Sequence, residues 1–285
     1  MRRVAIALLL LVSLTVATSA EAHSSRLRAS QACGGTASQR AAAQANAEGL
    51  ESLTVDLFGR TETGWSIYAP MVGGEIGARC PPERPAFAAA LARWQARHEL
   101  PQTGVMDADT LLAMKTEWQA RRPFYALRDQ GACPAPPDEA RLVTAKDSEM
   151  LEGSKPVRLR KRAMRAWRRM VAAARRQDRA IRADPDALKL FSGYRSPEAD
   201  DARCATENNC QGLVRAACSA HRTGLAFDLN LGSAPGYTVD STADANRLFQ
   251  SKTPAYRWLV RNARRYGFVN YVFEPWHWEW TGEKP

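Results

Sequence analysis

Apolar residues recur at helical spacing in several stretches of the chain. Phe87, Leu91 and Trp94 share one face. After 101–104, which reads as a turn, Leu111, Leu112 and Met114 mark a second helix with Asp107 or Asp109 as its cap. Leu159, Ala163, Trp167, Met170, Ala174 and Ile181 form a longer stripe that predicts a helix over 157–182. Trp258, Leu259, Asn262, Ala263 and Tyr266 share another face, stopped by Gly267. Elsewhere the pattern is that of strands. Residues 188–191 and 268–273 read as short ones, Phe227 and Leu229 flank Asp228, and Trp276, Trp278 and Trp280 alternate. The mixture predicts an α+β fold, a small antiparallel sheet with flanking helices, preceded by a small helical domain.

The ends and the breakers divide the chain. Met1-Arg2-Arg3 is charged, Val4 to Val16 is an apolar run too short to span a bilayer, and Ala20-Glu21-Ala22 offers small residues for cleavage. These features predict a signal peptide at 1–22 and an exported protein, periplasmic or secreted. No later stretch is apolar enough for a transmembrane segment. Residues 23–48, rich in Ala, Ser, Gln and Arg, read as a loose lead-in, 49–120 as the helical domain, 121–140 as a proline-bearing linker and 141–285 as the second domain.

Six cysteines suit an oxidising compartment. Cys33, Cys80 and Cys133 lie before residue 140, and Cys204, Cys210 and Cys218 after 200. Full oxidation therefore requires a bridge between the two groups, whereas two local bridges would leave two thiols. The formal charge of +10 predicts attraction to an anionic cell-wall polymer or membrane surface. Nucleic acid is not an expected partner, since no recognition motif is present. The long helix concentrates this charge, with eleven Lys or Arg residues in 157–182 against Asp178 alone, which by itself reads as a solvated face.

Two short segments carry candidate chemistry. One is S-A-H-R-T-G-L-A-F-D, Ser219 to Asp228. The other is E-P-W-H, Glu274 to His277, and together they hold two of the four histidines. Two imidazoles and a carboxylate form a three-ligand set that leaves a zinc ion an open position for water. The remaining carboxylate, Glu274, is then placed to take a proton from that water. Arg195 is suited to stabilising a negative tetrahedral intermediate. A serine triad of Ser219, His221 and Asp228 fits less well, because no G-x-S-x-G or S-x-x-K element occurs. A structural zinc site on Cys204, Cys210, Cys218 and His221 competes with disulfide formation.

S-G-Y-R-S at Ser192 to Ser196, S-x-H-x-x-G-x-A-x-D and E-P-W-H-W, in this order, resemble the VanY-type zinc D-alanyl-D-alanine carboxypeptidases. The resemblance covers about 140–280 and extends to lysostaphin-like endopeptidases and the hedgehog signalling domain. It implies the hedgehog/DD-peptidase fold, with His221, Asp228 and His277 holding Zn2+ and Glu274 as catalytic base. Arg195 would face the reacting carbonyl or the peptide carboxylate, and Ser219 and Tyr194 would help to hold the peptide. Two departures bear on substrate preference rather than on metal chemistry. Asp200 stands where the family commonly has Gln, and the 202–217 insertion is atypical.

Phe87, Leu91, Trp94, Gln95, Leu100, Gly104, Thr110, Leu111 and Met114 in turn resemble the peptidoglycan-binding domain attached to many cell-wall hydrolases, with Glu99 in place of that family's Gly. The expected activity is that of a zinc metallopeptidase on peptidoglycan stem peptides, removing terminal D-alanine. The alternatives are a peptidoglycan endopeptidase, or a non-catalytic wall-binding protein with a structural metal.

Overall fold

The structure is a computed structural model that describes residues 33–57, 60–129, 133–206 and 218–285. The expected signal peptide and Cys210 lie outside the described residues. In chain order the elements are α1 (Ala37–Ser52), β1 (Thr54–Leu57), β2 (Arg60–Thr63), α2 (Ala69–Glu75), α3 (Pro85–Arg97), α4 (Ala108–Ala120) and α5 (Pro123–Asp129). They continue with β3 (Leu142–Thr144), β4 (Arg158–Arg160), α6 (Lys161–Gln177), α7 (Arg179–Ala183), β5 (Leu190–Ser192) and α8 (Pro197–Thr206). The last are β6 (Ala226–Leu229), α9 (Asp244–Lys252), α10 (Pro254–Asn262), β7 (Phe268–Asn270) and β8 (His277–Trp280). Helices and small antiparallel sheets are therefore mixed, with a helical N-terminal region. No helix among the described residues is long and apolar enough to cross a membrane.

The chain forms two compact units, one ending at Gly49 and resuming over Ile76–Met106, the other made of Leu50–Glu75 and Asp107–Pro285. In the first, Ala42 and Ala43 pack with Ala88. Residues 37–47, expected as loose lead-in, are helical. Alanine has the highest helix propensity, and its small side chain lets α1 pack closely. Asn46 donates to the Gly104 carbonyl at 2.9 Å and accepts from the Met106 N–H at 2.7 Å. A disulfide joins Cys33 to Cys80.

The second unit is built on a four-stranded antiparallel sheet in the order β5-β6-β8-β7. Its core joins the apolar stripe of α6 to Phe227, Leu229, Trp278 and Trp280 of the sheet and to Trp258 and Leu259 of α10. The helix expected over 157–182 is shorter at both ends. Arg158–Arg160 pairs as β4 with β3. Asp178 closes α6 and caps α7, accepting from the Ala180 and Ile181 N–H groups. The basic residues are not only a solvated face, since Arg168 pairs with Glu149 and Arg160 donates to the Thr223 carbonyl. The strand expected over 268–273 stops at Asn270, whose side-chain amide donates to the carbonyls of Glu274, Pro275 and His277. Those three bonds turn the chain and deliver E-P-W-H to the sheet.

Candidate metal centre and cleft

Strand alternation assembles the centre. Phe227 and Leu229 enter the core, so Asp228 between them points to the opposite face. In the register of β6 with β8, Asp228 is opposite His277, and the Asp228 Oδ1 lies 2.9 Å from His277 Nδ1. His221 comes from a short 3-10 turn, Ala220–Thr223, capped by the Ser219 hydroxyl, which accepts from the His221 N–H at 3.2 Å. Gly224 closes that turn at φ +67°, a conformation that costs glycine little. The His221 ring is fixed by its Nδ1–H, which donates to the Gly193 carbonyl at 2.7 Å. A Cβ on Gly193 would sit 2.6 Å from the Arg158 carbonyl oxygen, so only glycine allows this approach.

His221 Nε2 then faces His277 Nδ1 at 3.2 Å and Asp228 Oδ2 at 3.3 Å. Ligand atoms about 2.0–2.1 Å from a tetrahedral zinc are about 3.3 Å apart, so this donor set fits such an ion. All three residues are buried. Burial depresses the charged form of His221, and its pKa falls below the ordinary histidine value. Burial alone would raise Asp228, but His221 and His277 hold its carboxyl far below the usual range. Burial would likewise lower His277. Its contacts with Asp228 and Glu279 prevail and raise it to about 9.

The other expected site residues line the same cleft of about 720 Å³. The Glu274 carboxylate is 4.0 Å from His277 Nδ1, with about a third of its side chain exposed. Arg195 has one Nη 3.4 Å from both Asp200 Oδ1 and Ser219 Oγ, and its own N–H donates to the His221 carbonyl. Asp200 also accepts from the Ser219 N–H at 2.7 Å and pairs with Arg222. This buried carboxylate thus organises the turn that presents Ser219 and His221. Tyr194 lies on the cleft wall. A disulfide between Cys133 and Cys218 ties down the start of this turn and realises the bridge between the two cysteine groups; Cys204 is also disulfide-bonded.

Residues 156–283 match the family model of VanY, D-alanyl-D-alanine carboxypeptidase. This part of the chain is VanY-like. A solved structure of a vancomycin resistance D,D-pentapeptidase VanY mutant, from a VanB-type resistance cassette and in complex with Zn(II), shares 20% identity. It covers 52% of this chain and 83% of its own, with a TM-score of 0.29. No curated protein matches.

Sequence reasoning missed two participants next to the VanY-like motifs. Glu279 is 2% exposed and follows His277 by two residues, so the alternation that places His277 on the site face places Glu279 there too. The alternating tryptophans on the opposite face, Trp276, Trp278 and Trp280, are the more conspicuous pattern in the same stretch. The partner of Glu279 is Arg122, in a stretch read as linker, and nothing in the local pattern marks it.

Proposed function

We propose that this protein is a zinc-dependent peptidase that trims peptidoglycan stem peptides by removing terminal D-alanine. The observation that carries the reading is the convergence of His221 Nε2, His277 Nδ1 and a carboxylate of Asp228, with Glu274 and Arg195 on the wall of the same cleft. The VanY match supports the substrate class.

His221, Asp228 and His277 would hold the ion, which when bound supplies Lewis-acid chemistry, polarising a carbonyl and acidifying water towards a pKa of about 7. Glu274, reaching into the cleft beside His277, takes the proton of the attacking water and hands it to the departing amine. Arg195, steadied by Asp200 and Ser219, stabilises the negative charge that develops on the carbonyl oxygen. Tyr194 contributes to holding the peptide. The Ser219 hydroxyl already caps the His221 turn, so its role is to position that turn as well as to meet substrate. Lys155 and Arg203 add positive charge to the cleft wall, which favours a substrate ending in a carboxylate over an internal peptide segment.

D-alanine release from a soluble pentapeptide wall precursor tests the reading. Release that stops with a chelator and returns with zinc supports it; release indifferent to chelation refutes the metal. Hydrolysis confined to polymerised wall would indicate an endopeptidase. We further assign wall binding to residues 49–120 and catalysis to 141–285, a division by sequence pattern that cuts across the compact units, since residues 50–75 and 107–120 fold in the same unit as the candidate metal centre. The His221→Ala variant should still sediment with purified sacculi if that division is right.

A further inference from the structure

We propose that Glu279, clamped by Arg122, is a positioning residue that orients the His277 ring so that Nδ1 faces the metal site. This inference rests on the metal-centre reading above.

The geometry begins with the two nitrogens of one ring. His277 Nδ1 is turned toward Asp228 and His221. On the far side of the ring, Nε2 is buried without a hydrogen-bond partner in the described structure, and Glu279 Oε1 faces it at 3.5 Å. At that distance the carboxylate attracts the N–H without forming a full hydrogen bond. A carboxylate beside Nε2 favours the proton there and leaves the Nδ1 lone pair for an ion. Such partners fix both tautomer and ring angle at metal sites.

Glu279 is itself immobilised. Arg122 reaches Oε1 through Nε at 2.7 Å and Nη2 at 2.6 Å, while the Phe124 N–H donates to Oε2 at 3.2 Å. Arg122 is held in turn. Its Nη1 donates to Gln119 Oε1 at 2.7 Å, and its guanidinium lies 4.0 Å above the Tyr271 ring, whose own ring meets His277 edge-on. A chain of contacts therefore runs from the end of α4 to the far face of one candidate ligand. A buried ion pair is weak evidence for stability alone, because desolvation offsets much of its attraction. Its location against Nε2 gives it a second task.

The experiment compares wild type, Glu279→Gln and the double variant Arg122→Gln/Glu279→Gln. The double variant removes both charges, so neither is left buried and unpaired. Zinc affinity is measured by competition with a chromophoric chelator, folding by circular dichroism, and the His277 tautomer by 15N NMR of the zinc-loaded protein. Both folded variants should bind zinc about 10–100-fold more weakly than wild type. The Nε2–H signal of His277 should shift or broaden. Affinity within about threefold of wild type and an unchanged ring signal in the folded double variant would overturn the proposal. Wild type that takes up no zinc would instead sink the metal-centre reading itself.

Discussion

Asp228 and His277 stand directly opposite one another on β6 and β8, with Oδ1 and Nδ1 2.9 Å apart. Their pairing is a consequence of strand register, so these two candidate ligands are positioned by backbone hydrogen bonds. His221 is added from a turn whose ring is steered by the Gly193 carbonyl. Two strand-borne candidate ligands and one turn-borne candidate would make a centre that loses its ion when any one of them is removed.

Asp228→Ala and His221→Ala should both fold and both lose zinc after dialysis, as read by metal content. Asp228→Ala should have the larger effect on stability, because it removes the carboxylate hydrogen-bonded to Nδ1 of the buried His277 imidazole. Stoichiometric zinc in either variant would contradict the ligand set.

Glu274 lines the cleft but is not among the three converging candidate ligands. Glu274→Gln should retain zinc at wild-type stoichiometry while D-alanine release falls about 10²–10⁴-fold, the range for loss of a general base. Near-normal turnover would exclude it as the base.

Glu279 links the site to acid stability. Burial alone would raise its pKa, but Arg122, His277 and the Phe124 N–H outweigh burial and lower it to about 2 from an ordinary 4.5. A carboxyl depressed on folding stabilises above its unfolded pKa and loses that contribution as pH falls through the folded value. Metal-free wild type should therefore lose on the order of 3 kcal/mol from this group between about pH 4.5 and 2. The Arg122→Gln/Glu279→Gln variant should show a shallower fall in urea midpoint over that window.

Glu99 occupies the left-handed region at φ +58°, where the peptidoglycan-binding pattern that this stretch resembles in sequence has glycine. A side chain there costs about 1–2 kcal/mol, part of which glycine gives back as chain entropy. Glu99→Gly should stabilise by about 0.5–1 kcal/mol in denaturant unfolding. A destabilised variant would show that the Glu99 side chain makes compensating contacts.

Cys133–Cys218 closes a span of 85 residues beside Ser219. Replacing both cysteines with serine should cost about 2–4 kcal/mol. Zinc affinity should fall as well, because the bridge anchors the turn that carries His221. Unchanged affinity would assign the bridge to stability alone.

The convergence of the three candidate ligands was legible in the chain because its logic is local. Alternation around Asp228, the spacing from Glu274 to His277 and the glycine after the His221 turn are properties of a few neighbouring residues. The helical stripe of α6 was legible for the same reason, whereas its ends were not. The cap at Asp178 and the pairing of Arg158–Arg160 with β3 depend on residues that compete with helix propensity through contacts elsewhere.

The sequence by itself determined which side chains are able to bind a metal and which faces of the strands they occupy, since both follow from residue type and a period of two. Only the tertiary structure decided which imidazole nitrogen faces the site, which cysteines pair across the chain, and that Arg122 clamps Glu279 from 157 positions away. Such long-range contacts leave no periodic trace. They arise because a buried charge must find a partner wherever the folded chain brings one within reach.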